Sequence, residues 1–337
     1  MKQFSIITIF FIILVITIII SLSLGRYSIS ISDLTTFLIW KITNLGYIER
    51  SKQELLETVI LEIRLPRILA AALIGSALSV AGASFQSMFI NPLASPGILG
   101  VLAGASFGYA LGILISKSWI MVQILTVLFG FLAVLIAIAI ARIYRIDSII
   151  MLVLGGVISS SLFTSLVSIV KYVADPYNQL PAIVYWLMGG LTMVDKDILL
   201  IVSLPILMGI VGLILHGRLL NALSMGEEEA KSLGIDVKKV RFRIIFLATL
   251  VSSLTVMIGG VINWVGLIIP HICRFIVGPN NQILLPLSAL VGATYLIIVD
   301  DISRLIFPSE IPLGILTSLI GIPFFIVILK NAHRGWK

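Results

Sequence analysis

The chain has 337 residues, 59% of them hydrophobic and 12% charged, with a mean hydropathy of +1.16. Soluble domains carry about 25% charged residues, so this composition excludes a soluble fold and defines a polytopic membrane protein. The formal charge of +7 does not point to nucleic acid, because no basic run is interleaved with aromatics and most Lys and Arg sit between apolar spans.

A spanning helix needs about 20 apolar residues, since a rise of about 1.5 Å per residue must cross about 30 Å of hydrocarbon. Such spans are predicted near 4–25, 66–87, 97–116, 119–141, 148–172, 198–216, 243–263, 283–299 and 311–330. The first has too long an apolar run for a signal peptide and no small-x-small cleavage site, so it is read as a retained helix. A shorter piece, about 264–277, is broken by Pro270 and charged at Arg274, and is read as a short or re-entrant helix. The expectation is an all-α membrane protein of about ten helices in one domain, 1–337.

Orientation follows from Lys and Arg, which are enriched on the cytoplasmic side. With Met1 inside, Lys2, Arg142, Arg145, Arg218, Lys231, Lys238, Lys239, Arg241, Arg243, Arg274, Lys330, Arg334 and Lys337 lie inside. The outside set is smaller and is dominated by the 26–67 segment. Both termini and the segment 217–242 are then cytoplasmic. Residues 26–63 become a long extracytoplasmic loop, and 173–197 carry a helix lying at the same outer surface. At an offset of 178, Ala70, Gly82, Pro92 and Gly100 match Ala248, Gly260, Pro270 and Gly278, a weak repeat that this topology makes inverted.

The span centres are nearly free of charge: Asp147, His271, Asp300, Asp301 and Arg304 all fall near span ends. That argues against a proton- or sodium-coupled carrier, which keeps an ionisable group in midmembrane. No HExxH pair, GxSxG elbow or GxxxxGK[ST] phosphate loop is present, so no catalytic or metal-binding residue is assigned. Any ATP hydrolysis must occur in a partner. The single cysteine, Cys273, excludes an intrachain disulfide and a paired-cysteine zinc site, and reads as a packing residue. His271, with no cluster of carboxylates or thiolates around it in sequence, reads as structural.

The stretch 225–234, MGEEEAKSLG, is an acidic turn between spans. Glu227, Glu228 and Glu229 suit the first turn of a helix by its dipole. Lys231 follows Glu227 at i+4, and Gly234 suits a left-handed end cap. On the fifth span Ser161, Thr164, Ser165 and Ser168 share one helical face. Small hydroxyls there suit either a wet cavity or close helix packing.

Four stretches resemble the FecCD-type permeases, the membrane subunits of ABC importers for iron-siderophores, haem and cobalamin. They are RLPRILAAALIGSALSVAGASFQSMFINPLASPGILGVLAG (64–104), GEEEAKSLG (226–234), GGVINWVGLIIPHICRFIVG (259–278) and the closing run 286–324 with VDDISR and EIPLG. They stand in the family order and span nearly everything from Glu62 to Leu329. Trp264 replaces the usual Phe, and Val299 the usual Ala.

The resemblance implies a BtuC-like fold in a bacterial plasma membrane. It implies two cytosolic ATPase subunits that bind ATP and Mg, an extracytoplasmic solute-binding protein, and a second permease, identical or paralogous. It needs no cofactor in this chain. Ferric siderophore is the first substrate expectation, on family frequency alone, with haem and cobalamin next. By the same resemblance, Gly226, Glu227, Glu228, Glu229, Ala230, Leu233 and Gly234 dock the ATPase. Arg64, Arg67 and Arg304 meet the binding protein, and Ser161, Thr164, Ser165 and Ser168 line the path. Asn91, Leu93, Ile149 and Ile150 flank the cytoplasmic gate around Pro92.

Overall fold

Residues 2–43, 49–116, 118–143 and 149–332 are described by the computed structural model, and among them every regular element is helical. Lys117, Arg145, Asp147, Arg334 and Lys337 lie outside the described residues. Seven helical segments are long and apolar enough to cross a membrane: Ser5–Ser23, Arg50–Phe89, Trp119–Ile143, Ile149–Val173, Lys196–Leu215, Val237–Gly259 and Asn281–Leu305. Three shorter apolar helices, Val101–Ile115, Val265–Val277 and Leu313–Ile326, complete the expected set.

In chain order, α1 is Lys2–Ser23, α2 Ile31–Thr43 and α3 Arg50–Leu56. A π-helical stretch, Glu57–Arg64, leads into α4, Leu65–Phe89. A 3-10 turn, Pro96–Leu99, precedes α5, Val101–Ile115. Then come α6 (Trp119–Ile143), α7 (Ile149–Val173), α8 (Gln179–Leu187) and α9 (Lys196–Leu215). Two short helices follow, α10 (Gly217–Leu223) and α11 (Glu227–Ser232). The chain closes with α12 (Val237–Gly259), α13 (Val265–Val277), α14 (Asn281–Leu305) and α15 (Leu313–Ala332).

The segment 26–63, expected as a loop, is mostly helical. On α2 the residues Leu34 and Phe37 are fully buried, an i, i+3 pair that anchors the helix, while Asp33 and Lys41 reach out to Lys52 and Glu57 at 2.6 Å each. The surface helix expected within 173–197 is α8, and Gln179 at its start donates to the Ile113 carbonyl of α5 at 3.2 Å.

Helix α4 is the axis of the fold and packs against α14, α12 and α13. Its sequence explains this position: Ala70, Ala71, Gly75, Ala77, Gly82 and Ala83 give it a narrow profile, and all are buried. At Gly82 the backbones of α4 and α13 approach so closely that a Cβ would collide with the Gly266 carbonyl. Lipid offers apolar side chains no hydrophobic gain over a neighbouring helix, so such backbone proximity is how membrane helices gain contact.

Two spans are not continuous rods. α4 ends with Ile90 in the left-handed region (φ 49°), and residues 91–95 are irregular before the 3-10 turn and α5. α12 ends at Gly259, residues 260–264 are irregular, and α13 starts after Trp264, also left-handed at φ 70°. At the repeat offset of 178, Pro92 lies in a turn while Pro270 lies inside α13, and Gly82 lies mid-helix while Gly260 ends one. The local structures at these two pairs differ, while Ala70 and Ala248 are both buried within helices and Gly100 and Gly278 both hold a positive φ, 85° and 79°.

Candidate functional site

The C-terminal ends of α1 and α14 meet the start of α4, so these ends share one face, called here the arginine face. The turn bearing α10 and α11 connects the far end of α9 to the start of α12 and marks the other, named the coupling face after the expectation from sequence.

The coupling turn is built as its sequence predicts. Gly226 is the N-cap, and all three glutamates fall in the first turn of α11. Gly234 follows in the left-handed region (φ 76°), and the Ile235 amide bonds the Ala230 carbonyl at 3.1 Å, closing a Schellman-type end. Ala230 is fully buried and pins the turn against the fold. Glu227 points inward: Lys231 Nζ lies 3.1 Å away and Arg241 donates to it from α12, also at 3.1 Å. Partial burial pushes the Glu227 carboxyl up, but these two cations outweigh it and hold it below the usual range. Met225, Glu228 and Leu233 project outward, Leu233 being 64% exposed. The turn is thus a braced scaffold presenting two apolar side chains and a carboxylate.

The arginine face differs from expectation. Arg64 and Arg304, expected as docking charges, are buried at 4% and 7% exposure. Arg64 donates to the Leu22 and Ser23 carbonyls at 2.6 and 3.0 Å and to Tyr27, because the end of α1 folds over it. Arg304 pairs with Asp301 and donates to Ser21 Oγ at 2.8 Å, and Ser21 in turn donates to Asp301 at 2.7 Å. Arg67 is forked between Asp300 (2.8 Å) and Glu310 (2.9 Å), and Thr192 donates to Glu310 at 2.9 Å. Burial raises the Glu310 carboxyl, and the Arg67 hydrogen bonds and charge bring it below its usual value. Of the three arginines only Arg67 keeps a partly open side chain among these acids.

On α7, Ser161, Thr164, Ser165 and Ser168 are all exposed on one face, so they do not serve packing within this chain. Toward the start of α7 the same face is aliphatic, with Ile150, Leu154 and Val157 exposed. Ile149 is half-buried. Asn91 is exposed and its side chain accepts from the Leu93 amide at 2.9 Å, fixing the turn that carries exposed Leu93. The following 3-10 turn lies against α7, where a Cβ at Gly156 would strike the Ile98 carbonyl.

A feature that sequence reasoning missed lies between the two irregular segments. Ser95, Pro96 and Gly97 from one, and Ile262, Asn263 and Trp264 from the other, line a cavity of about 200 Å³. Leu78, halfway along α4, Leu102 of α5, Ser252 of α12 and Gly266 and Leu267 of α13 complete the lining. The signal was present in sequence as Ser95-Pro96-Gly97 and Gly259-Gly260 inside apolar spans, since such residues interrupt helices. Among the described residues no cluster of His, Cys, Asp and Glu can hold a metal ion. His271 packs edge-on against Phe275 at 5.0 Å, and Cys273 is fully buried.

Seven helices long and apolar enough to cross a membrane, with interrupted helices between them, define a polytopic membrane protein. Comparison makes the family plain: residues 13–331 match the FecCD transport family, and the chain belongs to it. It is 42% identical over 322 residues to the molybdate import system permease MolB of Haemophilus influenzae, covering 96% of this chain and 94% of that one. It is 39% identical over 283 residues to the vitamin B12 import permease BtuC of Vibrio cholerae, covering 82% and 84%. A solved structure of a metal-chelate type ABC transporter in an inward-facing conformation superimposes with a TM-score of 0.85 at 40% identity, covering 97% of this chain and 99% of that one. The chain is therefore an ABC importer permease, a multi-span membrane subunit without catalytic activity of its own, and its ATPase is a separate partner.

Proposed function

We propose that the chain imports a small oxyanion of the molybdate type, driven by two cytosolic ATPases that grip the turn Gly226–Gly234 and fed by a binding protein on the arginine face. The observation that carries the coupling is the turn itself, where Ala230 is buried while Met225, Glu228 and Leu233 face outward. Apolar anchors beside a carboxylate suit a cleft with basic walls. This places both termini and the coupling face in the cytoplasm, in agreement with the bias of Lys and Arg. A second permease, identical or paralogous, faces α7 and closes a path lined by Ser161, Thr164, Ser165 and Ser168. Leu93 and Ile150 supply apolar closure at its cytoplasmic end, where dewetting stops flow. Arg67, beside Glu310 and Thr192, is the docking residue for the binding protein, with Arg64 and Arg304 holding the ground beneath it.

Oxyanion import is supported by the near end-to-end similarity to MolB. Ferric siderophore is the second reading, favoured by the metal-chelate type relative of the same overall shape. The test is ATP-dependent uptake into proteoliposomes holding the permease with its cognate ATPase and binding protein. Accumulation of molybdate, and none of a ferric siderophore, is expected. The reverse result would transfer the substrate to the chelate class. Uptake of molybdate without ATP would overturn the coupling.

A further inference from the structure

A groove of about 550 Å³ runs between α6, α9 and α12. On α6 its wall is Ile120, Ile124, Leu128 and Phe131, which recur every three or four residues and so share one face. From Ile120 to Phe131 the helix rises about 16 Å at about 1.5 Å per residue, the depth of one leaflet of a ~30 Å hydrocarbon core. The leaflet is the one on the arginine face. Ile120 follows Trp119, which shares a small pocket with Thr192, and Thr192 bonds Glu310 beside Arg67.

The groove opens away from the bundle. The other side of α6 is taken by its neighbours: a Cβ at Gly104 of α5 would strike the Phe129 carbonyl, and one at Gly155 of α7 would strike that of Ala137. The groove is therefore also turned away from α7, the helix proposed to face the second permease. Ile120, Ile124, Leu128 and Ile201 are each more than half exposed, and buried Val202 of α9 closes the groove beneath them. Among the described residues Gln123 is the one polar member of the lining, so water gains little there. Left empty, such a groove forfeits dispersion contacts along its whole length.

The charges at its mouth select a headgroup. Lys196 and Asp197 open α9, directly ahead of Ile198 in the lining. Lys196 is taken by Glu62 at 2.8 Å. The Asp195 carboxylate caps the helix, accepting from the amides of Asp197 and Ile198 at 2.9 Å each. The Asp197 carboxylate is exposed and has no partner among the described residues. It stands one turn ahead of Ile201, on the groove side of α9. Trp119, at the start of α6, is the kind of ring that sits at headgroup level.

We propose that this groove seats an acyl chain of a phospholipid from the leaflet on the arginine face, with a primary-amine headgroup, as in phosphatidylethanolamine, donating to Asp197. Such a lipid touches α6, α9 and α12 together, and α9 and α12 are the helices joined by the turn that bears α10 and α11.

The test is native mass spectrometry of the full chain. It is reconstituted in nanodiscs holding equal amounts of phosphatidylethanolamine, phosphatidylcholine and phosphatidylglycerol with identical chains, then released into mild detergent. A retained lipid is expected, phosphatidylethanolamine above the other two. Ile124→Trp with Ile201→Trp, both at exposed wall positions, should fill the groove and remove the retained lipid whatever its headgroup. Leu200→Trp, exposed on α9 but outside the lining, should leave retention unchanged. Asp197→Asn should keep the lipid but lower the preference for phosphatidylethanolamine over phosphatidylcholine about fivefold, the upper worth of an exposed ion pair. Retention that survives the double tryptophan variant, or that Leu200→Trp abolishes equally, would overturn the groove. A preference for phosphatidylglycerol, or one that Asp197→Asn leaves unchanged, would overturn the headgroup. A lipid-free dimer that comes apart in the double variant would give the groove to a second copy of the chain.

Discussion

Arg67 shows how much one side chain holds at the arginine face. Its guanidinium bonds Asp300 of α14 and Glu310 of the loop before α15 at once, and Glu310 also accepts from Thr192. Removing one partner of a buried pair leaves the other charge uncompensated, at a cost of about 3–5 kcal/mol. Arg67→Ala should therefore lower the thermal unfolding midpoint markedly, and Asp300→Asn should cost little more in that background. A thermal-shift double-mutant cycle measures this coupling. Glu310 also fixes the acid limit. Burial pushes its carboxyl up, but the Arg67 guanidinium holds it below the ordinary glutamate value of 4.5, so its contribution is complete above that value and is lost as pH falls through the lower folded pKa. Thermal stability should be indifferent to this group between pH 7 and 5, and should fall only below about 4.5. A loss beginning near pH 6 would assign the acid limit elsewhere.

Helices explain what a reader of the sequence can and cannot see. Length and hydropathy place α1, α4, α6, α7 and α9 within about two residues of their observed ends, because the bilayer imposes its own ruler, whereas α12 starts well before 243 and α14 runs well past 299. The coupling turn is legible too, since its caps and its Glu227–Lys231 pair are local. The helix α2 was hidden because its short apolar stripe carries Asp33 and Lys41 and resembles a polar loop. The burial of Arg64 and Arg304 was not legible at all. It depends on Ser21, Leu22 and Ser23, separated from them by tens to hundreds of residues in sequence. The cavity joins residues 95–97 to 262–264 in the same way.

Two substitutions test element packing. Gly82→Leu must separate α4 from α13, since even a Cβ collides with Gly266 there, and loss of detergent-stable protein is expected by size-exclusion chromatography. Glu227→Ala removes the brace to Lys231 and Arg241. Hydrogen exchange over 226–235 should rise while exchange in α4 stays unchanged. Glu228→Arg leaves that brace in place, yet should reduce copurification of the ATPase and substrate uptake together. Unchanged copurification would remove the turn from the coupling surface.

For the molecule as a whole, the exposed hydroxyl face of α7 is the point of leverage. Thr164 and Ser165 substituted together by Leu should stop uptake in proteoliposomes while the permease still copurifies with its ATPase, because both are exposed and the substitutions alter the proposed path and not a core. Full uptake in that double variant would mean that α7 faces lipid. The proposed orientation puts both termini in the cytoplasm. A C-terminal green fluorescent protein, which matures only in the cytoplasm, should therefore fluoresce.

The sealed position of Cys273 has a practical consequence. The chain carries one thiol, and that thiol is fully buried in α13 beneath α14. The natural sequence is therefore already a silent background for spectroscopy, with no native residue to replace. A nitroxide placed at exposed Tyr177, outside the residues proposed for docking and path, would report alone on its own site and, where the second permease is identical, on the distance to its twin across the assembled transporter. The opening and closing that ATP drives becomes measurable in a protein altered at one position.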